Sequence, residues 1–129
     1  MSKTKASQGK AENLFDGNFN TDINIKNKDD PWATAQVPKS EEPHRVEIYN
    51  TRSGNALDLE GVEVFLGDKK GDKGLDIKCG GPFYDVSNDP LVAICPGHSK
   101  YRYVTAILLG EGQTLNIAEM VVSVQEGLQ

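Results

Sequence analysis

Short runs in which apolar and polar residues alternate recur along the whole chain. Val46-Glu47-Ile48-Tyr49 alternates with a period of two, as does the longer Leu115-Asn116-Ile117-Ala118-Glu119-Met120-Val121-Val122-Ser123-Val124; this is the pattern of a strand with one face inward. The longer run sets Glu119 opposite its core-facing residues. Ala33 to Val37 carries the small and branched side chains of a half-buried strand. Leu57, Leu59, Val62, Val64 and Leu66 predict one strand bent near Gly61. Leu75–Cys79, Phe83–Val86, Leu91–Cys95 and Tyr101–Leu109 predict four more, the last being the strongest apolar run. Ala6-Ser7-Gln8 is a candidate edge strand. Asp22 to Asp30 alternates briefly, but its charge and the closing Asp30-Pro31 favour a surface excursion that could form a rim around a site. Lys39 to Pro43 reads as a polar turn and Thr51 to Asn55 as a loop. Gly67 to Gly74 reads as a solvated hairpin tip, where Lys69, Lys70 and Lys73 would repel a cation from Asp68 and Asp72. No segment shows sustained helical periodicity. The expectation is an all-β chain, an antiparallel β-sandwich of about eight strands forming one domain over residues 1–129.

Composition narrows the function. The 14 basic and 19 acidic residues leave a net charge of −5 with no basic cluster, which argues against nucleic acid as a partner. No run approaches the ~18 apolar residues of a membrane span, and the N-terminus lacks the apolar segment of a secretory signal. The chain is therefore either cytosolic or secreted with its signal segment missing from this sequence. Cys79 and Cys95 enclose Gly80-Gly81-Pro82 and Pro90, without the spacing of a redox motif or a second ligand pair for zinc. A structural disulfide is the simplest assignment and requires an oxidising compartment; the alternative is two buried thiols in a cytosolic protein.

The richest candidate for chemistry is Asn13-Leu14-Phe15-Asp16-Gly17-Asn18-Phe19-Asn20, a glycine-centred run of amides and carboxylate that favours a tight loop. Converging oxygens of this kind suit calcium, which takes six to eight oxygen ligands, many from backbone carbonyls. Glu119 is the candidate for the remaining charge, and a plain surface turn is the alternative. The loop is not an EF-hand: counted from Asp16, position 6 is Thr21 where glycine is required and position 12 is Asn27 where a bidentate glutamate is required. Catalysis finds no foothold. His44 and His98 are the only histidines, neither beside a candidate nucleophile, and no metal-protease motif or phosphate-cradling glycine loop is present. A non-enzyme is expected.

Six separated pieces are similar, in order, to the F-type lectins (fucolectins), within the discoidin or coagulation-factor type C superfamily. They are Asn13 to Asn18, Asp30-Pro31-Trp32, Val46 to Asn50, Leu59 to Val64, Arg102 to Thr105, and Leu115 to Glu119. The resemblance implies a jelly roll of the galactose-binding-domain type, a disulfide at the position of the cysteine pair, secretion, a structural Ca²⁺ near one end and a shallow sugar-binding surface framed by loops. The implied calcium ligands are the backbone oxygens of Asn13 and Asn18, the carboxylate of Asp16, a hydroxyl at Thr21, the carbonyl of Ala118 and the carboxylate of Glu119. The implied sugar site departs from the family pattern. Lys26 and Lys28 precede Pro31 where a histidine is expected, Arg52 matches the first arginine, Asp58 replaces the second, and the adjacent cysteine pair is missing. The expected protein is a calcium-stabilised glycan-binding module whose ligand is not α-L-fucose in the usual geometry, gripped by Asn24 to Asp29, Arg52 to Asp58, and Tyr84 or His98. The reversal of charge at Asp58 keeps open an adhesion domain on the same scaffold that binds protein, a lipid headgroup or a surface. An accessory part of an enzyme assembly is a third possibility.

Overall fold

A computed structural model describes residues 3–5, 23–37, 41–52, 54–96 and 101–126. Nine strands lie among them: β1 (Lys3–Lys5), β2 (Ile23–Lys28), β3 (Trp32–Gln36), β4 (Glu41–Asn50), β5 (Val62–Gly67), β6 (Ile77–Phe83), β7 (Leu91–Ile94), β8 (Tyr103–Ile107) and β9 (Gln113–Glu126). They form a five-stranded sheet in the order β1-β3-β8-β5-β6 and a four-stranded sheet in the order β2-β9-β4-β7, with every pairing antiparallel. The expected sandwich is the fold found.

Period-two patterning builds the core between the sheets. Ala33, Ala35, Val62, Val64, Leu66, Val104 and Ala106 come from one sheet, and Val46, Ile48, Leu91, Ala93, Leu115, Ile117, Met120 and Val122 from the other. In β9 the inward set changes from odd to even numbers between Ile117 and Met120. A straight strand would turn one of these pairs into solvent. Instead Tyr49 pairs with Glu119 and Asn50 with Ile117, so Ala118 is one residue extra and a bulge absorbs the change. The disulfide is present: Cys79 in β6 and Cys95 just after β7 join edge strands of opposite sheets, with their Cα atoms 4.4 Å apart. Closing a loop of this length stabilises by about 3 kcal/mol in the chain-entropy model.

The structure corrects several expectations. Asp22 to Asp30 is not simply an excursion, because Ile23–Lys28 pairs with β9 and buries Ile25; its lysines are tolerated on an edge strand, and its register breaks between Ile25 and Lys28, where Asn27 has φ 51. Pro43, assigned to a turn, already lies in β4. The strand expected from Leu57 is a 3-10 turn over Ala56–Leu59, started by the Asn55 side chain accepting the Leu57 N–H at 3.0 Å; only Leu59 reaches the core. Phe83 ends β6 instead of opening a strand, and 84–87 has no regular structure, so Gly80-Gly81-Pro82 lies within an edge strand. The connector 68–76 is more than a hairpin tip. It folds over the outer face of the five-stranded sheet, where the Gly71 N–H donates to Thr34 Oγ1 (3.0 Å), and the Thr34 and Thr105 hydroxyls, both fully buried, are bonded at 2.7 Å. Gly71 (φ 71) lies so close to the Trp32 indole that a methyl group there would collide with it. Trp32 is thereby a scaffold residue. Ala6 to Gln8 lie outside the described residues.

Candidate ligand-binding end of the sandwich

Strand register gathers four connectors at one end. Lys28 is opposite Gln113, Trp32 opposite Ile107, Val62 opposite Phe83, and Ile48 opposite Leu91. The segments 29–31, 51–61, 84–90 and 108–112 therefore leave the sheets on the same side. Two of them are bonded into one unit: Asp30 Oδ1 accepts the Gly110 N–H (2.7 Å), Asp29 Oδ1 accepts the Gly112 N–H (3.0 Å), and the Asp30 N–H donates to the Gly110 carbonyl (2.9 Å). These two carboxylates satisfy backbone.

The other two connectors meet through Asp89. Its Oδ1 accepts the Asn50 N–H at 3.0 Å, and its Oδ2 pairs with the Arg52 guanidinium. Arg52 remains 39% exposed in its side chain, held at the surface by this partner. The start of the β4–β5 connector is fixed locally: Asn50 Nδ2 donates to the Ala56 carbonyl (3.0 Å), Asn50 Oδ1 accepts the Thr51 N–H (2.7 Å), and Thr51 Oγ1 accepts the Gly54 N–H (2.8 Å). Asp58 accepts from Asn116 Nδ2 on β9 at 2.8 Å, with Asn116 itself buried. Of the four expected ligand-binding residues, Arg52 and Asp58 thus share a connector. Lys26 and Lys28 stand exposed on β2, which β9 separates from β4 by two strand spacings, about 10 Å. Tyr84 is 69% exposed. His98 lies outside the described residues, and His44 is a β4 residue whose carbonyl accepts the Cys95 N–H at 2.8 Å.

Between the ends of β6 and β7 the 84–90 connector leaves a cavity of about 440 Å³, lined by Phe83, Asp85, Asn88, Asp89, Leu91 and Val92 among others. The Ser87 hydroxyl (2.6 Å) and N–H (3.0 Å) both donate to Asp85 Oδ1 and hold its carboxyl below the ordinary carboxylate range. Burial, followed by repulsion from Glu47 and Asp89, pushes the nearby Tyr49 phenol up. Sequence reasoning singled out neither Asp89 nor Asn116. The Asn88-Asp89-Pro90 turn signature was the available signal for the first; nothing local marked the second.

Among the expected calcium ligands, Asn13, Asp16, Asn18 and Thr21 lie outside the described residues. Ala118 and Glu119 sit at the β9 bulge. Glu119 is only 3% exposed although its register with Tyr49 puts it on the outward row, and β2 begins at Ile23 opposite Ile117, immediately beside it. A buried carboxylate next to a bulge is the donor chemistry a hard cation takes. Among the described residues no three His, Cys, Asp or Glu side chains group together, so most of such a shell would come from upstream of Ile23.

A two-sheet antiparallel sandwich with connectors converging at one end is the fold of the F-type lectin modules and F5/8 type C domains. A Streptococcus pneumoniae fucose binding module, SpX-3, superposes with a TM-score of 0.73 at 19% identity, over 98% of this chain and 96% of that one. The fucolectin from striped bass (Morone saxatilis) serum gives 0.70 at 21% identity over the whole of this chain, which spans 46% of that protein. The CpGH89CBM32-5 domain of Clostridium perfringens, in complex with GalNAc-β-1,3-galactose, gives 0.72 at 16% identity over 94% of each chain. No family model matches the sequence, and no curated protein matches it.

Proposed function

We propose that this chain is a non-catalytic carbohydrate-binding module that holds a glycan at the end where the four connectors converge. The observation that carries this is Arg52. Its guanidinium is exposed on the β4–β5 connector and oriented by Asp89 from the neighbouring connector, and a guanidinium presents fixed donors to two hydroxyl oxygens of a sugar at once. The ligands named for the structural neighbours, fucose for SpX-3 and GalNAc-β-1,3-galactose for the Clostridium domain, support a glycan as the class. The Arg52–Asp89 pair and Asp58 at the second basic position favour an uncharged sugar other than fucose in the family's usual geometry. A glycan array tests this. Binding that R52A abolishes supports it, and a silent array with folded protein overturns it.

The same proposal includes a structural Ca²⁺ held by Asn13, Asp16, Asn18 and Thr21 from one side and by the Ala118 carbonyl and Glu119 carboxylate from the other. Bound there, the ion would meet a buried carboxylate, Glu119, of the kind calcium takes as a ligand. The disulfide supports secretion into an oxidising compartment.

A second reading is favoured by exposed apolar groups: Leu57 (60%) and Tyr84 (69%) flank the arginine's connector and β6. On that reading the module docks on a protein or lipid surface. Liposome or pull-down binding that free sugar does not compete would select it.

A further inference from the structure

We propose that the cavity under the 84–90 connector is a second sugar subsite, adjoining Arg52, that takes the next uncharged pyranose unit of a glycan and rejects acidic ones. The proposal rests on the glycan-binding reading and extends it from one contact point to two. Its volume of about 440 Å³ lies within the ~300–1,000 Å³ of small-molecule sites. The lining is mixed, with polar groups in the larger share. Phe83, packed against the core, and buried Leu91 form an apolar floor; Asp85, Asn88 and Asp89 supply polar groups at the rim. A pyranose presents a matching pair of surfaces, an apolar C–H face and a hydroxyl edge.

Charge sets the selectivity. Among the described residues, both ionisable side chains in the lining are carboxylates, and no lysine or arginine lines it. Asp89 is paired with Arg52, which leaves Asp85, oriented by the Ser87 hydroxyl and N–H, as the carboxylate that accepts from sugar hydroxyls and repels uronate, sialyl or sulfate groups. Asp89 supplies continuity, since the carboxylate that lines the cavity also holds Arg52 and the Asn50 N–H. A sugar on Arg52 and its neighbour in the cavity would therefore share one side chain, which fixes the spacing between the two units.

The test is an array displaying each terminal sugar as a monosaccharide, as a neutral oligosaccharide and as its sialylated or uronate-bearing counterpart, read with wild type, N88W and D85N. Asn88 is exposed, so a tryptophan there fills the cavity mouth without entering the core. Wild type is expected to hold neutral oligosaccharides about tenfold more tightly than the matching monosaccharide. N88W should lose that advantage while keeping monosaccharide binding, and D85N should narrow the gap between neutral and acidic glycans. If N88W leaves the oligosaccharide advantage intact, or acidic glycans bind wild type as tightly as neutral ones, the subsite is overturned while the glycan reading stands. If wild type is silent across the array, the glycan reading itself fails and the subsite with it.

Discussion

The connectors 68–76 and 84–90 are alike in composition and opposite in use. Both adjoin β6, both are polar, and both carry aspartates. The first contains two glycines, Gly71 and Gly74, and both are buried as the chain presses flat over Trp32, Thr34 and Thr105 with its charges outward. The second has no glycine. Its carboxylates cap a turn and reach across to Arg52, and the chain borders an open pocket instead of filling it. Absence of side-chain bulk lets a loop become part of the scaffold, whereas Asx and proline geometry holds a loop away from the sheet and leaves room for a ligand.

That contrast can be broken at either connector. The largest effect is expected from G71V, which forces a branched side chain into a positive-φ position against the indole: a loss of about 3 kcal/mol in unfolding free energy. Ligand affinity measured well below the lowered Tm should not change, and a parallel loss of binding would erase the distinction. Removing calcium comes next. At ion concentrations near 100 Kd, linkage gives about 2.7 kcal/mol, so chelation should lower the Tm by roughly 10 °C for a domain of this size. E119Q should abolish that chelator response, and a melting curve indifferent to chelator would remove the metal from the account. R52A acts in the opposite sense from G71V: affinity for the array's best glycan should fall by about 2 kcal/mol, on the scale of a hydrogen bond to a charged group, with Tm unmoved.

The smallest effect sharpens the electrostatics. The Ser87 hydroxyl, then its N–H, depresses the Asp85 carboxyl. A carboxylate with a depressed native pKa stabilises the fold above its unfolded value and loses that contribution as pH falls through the native one. S87A should move the Asp85 titration up towards the ordinary range, measured by NMR, so that rejection of acidic glycans weakens at a higher pH than in wild type. An unchanged titration would show that the hydroxyl does not hold this group.

What the sequence disclosed follows from the range of the interactions involved. The inner half of β4 and β9 were legible from period-two alternation, and β3, β7 and β8 from runs of small, branched and apolar residues, because both signals are local. β2 was passed over because its brief alternation, which buries Ile25, is set among charged and amide residues and closes on Asp30-Pro31. Leu57 misled because a 3-10 turn buries one apolar residue, Leu59, and exposes the other. At the end where the connectors converge, Arg52 and Asp58 were picked out together from a linear motif, and they share the β4–β5 connector. Their partners were not, since Asp89 lies 37 residues from Arg52 and Asn116 lies 58 from Asp58; both contacts exist only once the sheets have formed. Lys26 and Lys28 adjoin the motif in sequence, yet β9 stands between them and that connector.

The odd-to-even change in β9 also fixes alignment. A strand with uniform alternation can slide by two residues against its neighbour and still hide the same side chains. One whose inward set switches parity at Ala118 cannot, because any shift separates the kink from Tyr49 and Asn50 and drags a polar group into the interior. β4 pairs with β9 on both sides of Ala118, so it is indexed against a ruler with a notch, and the spacing of the connector it feeds inherits that setting.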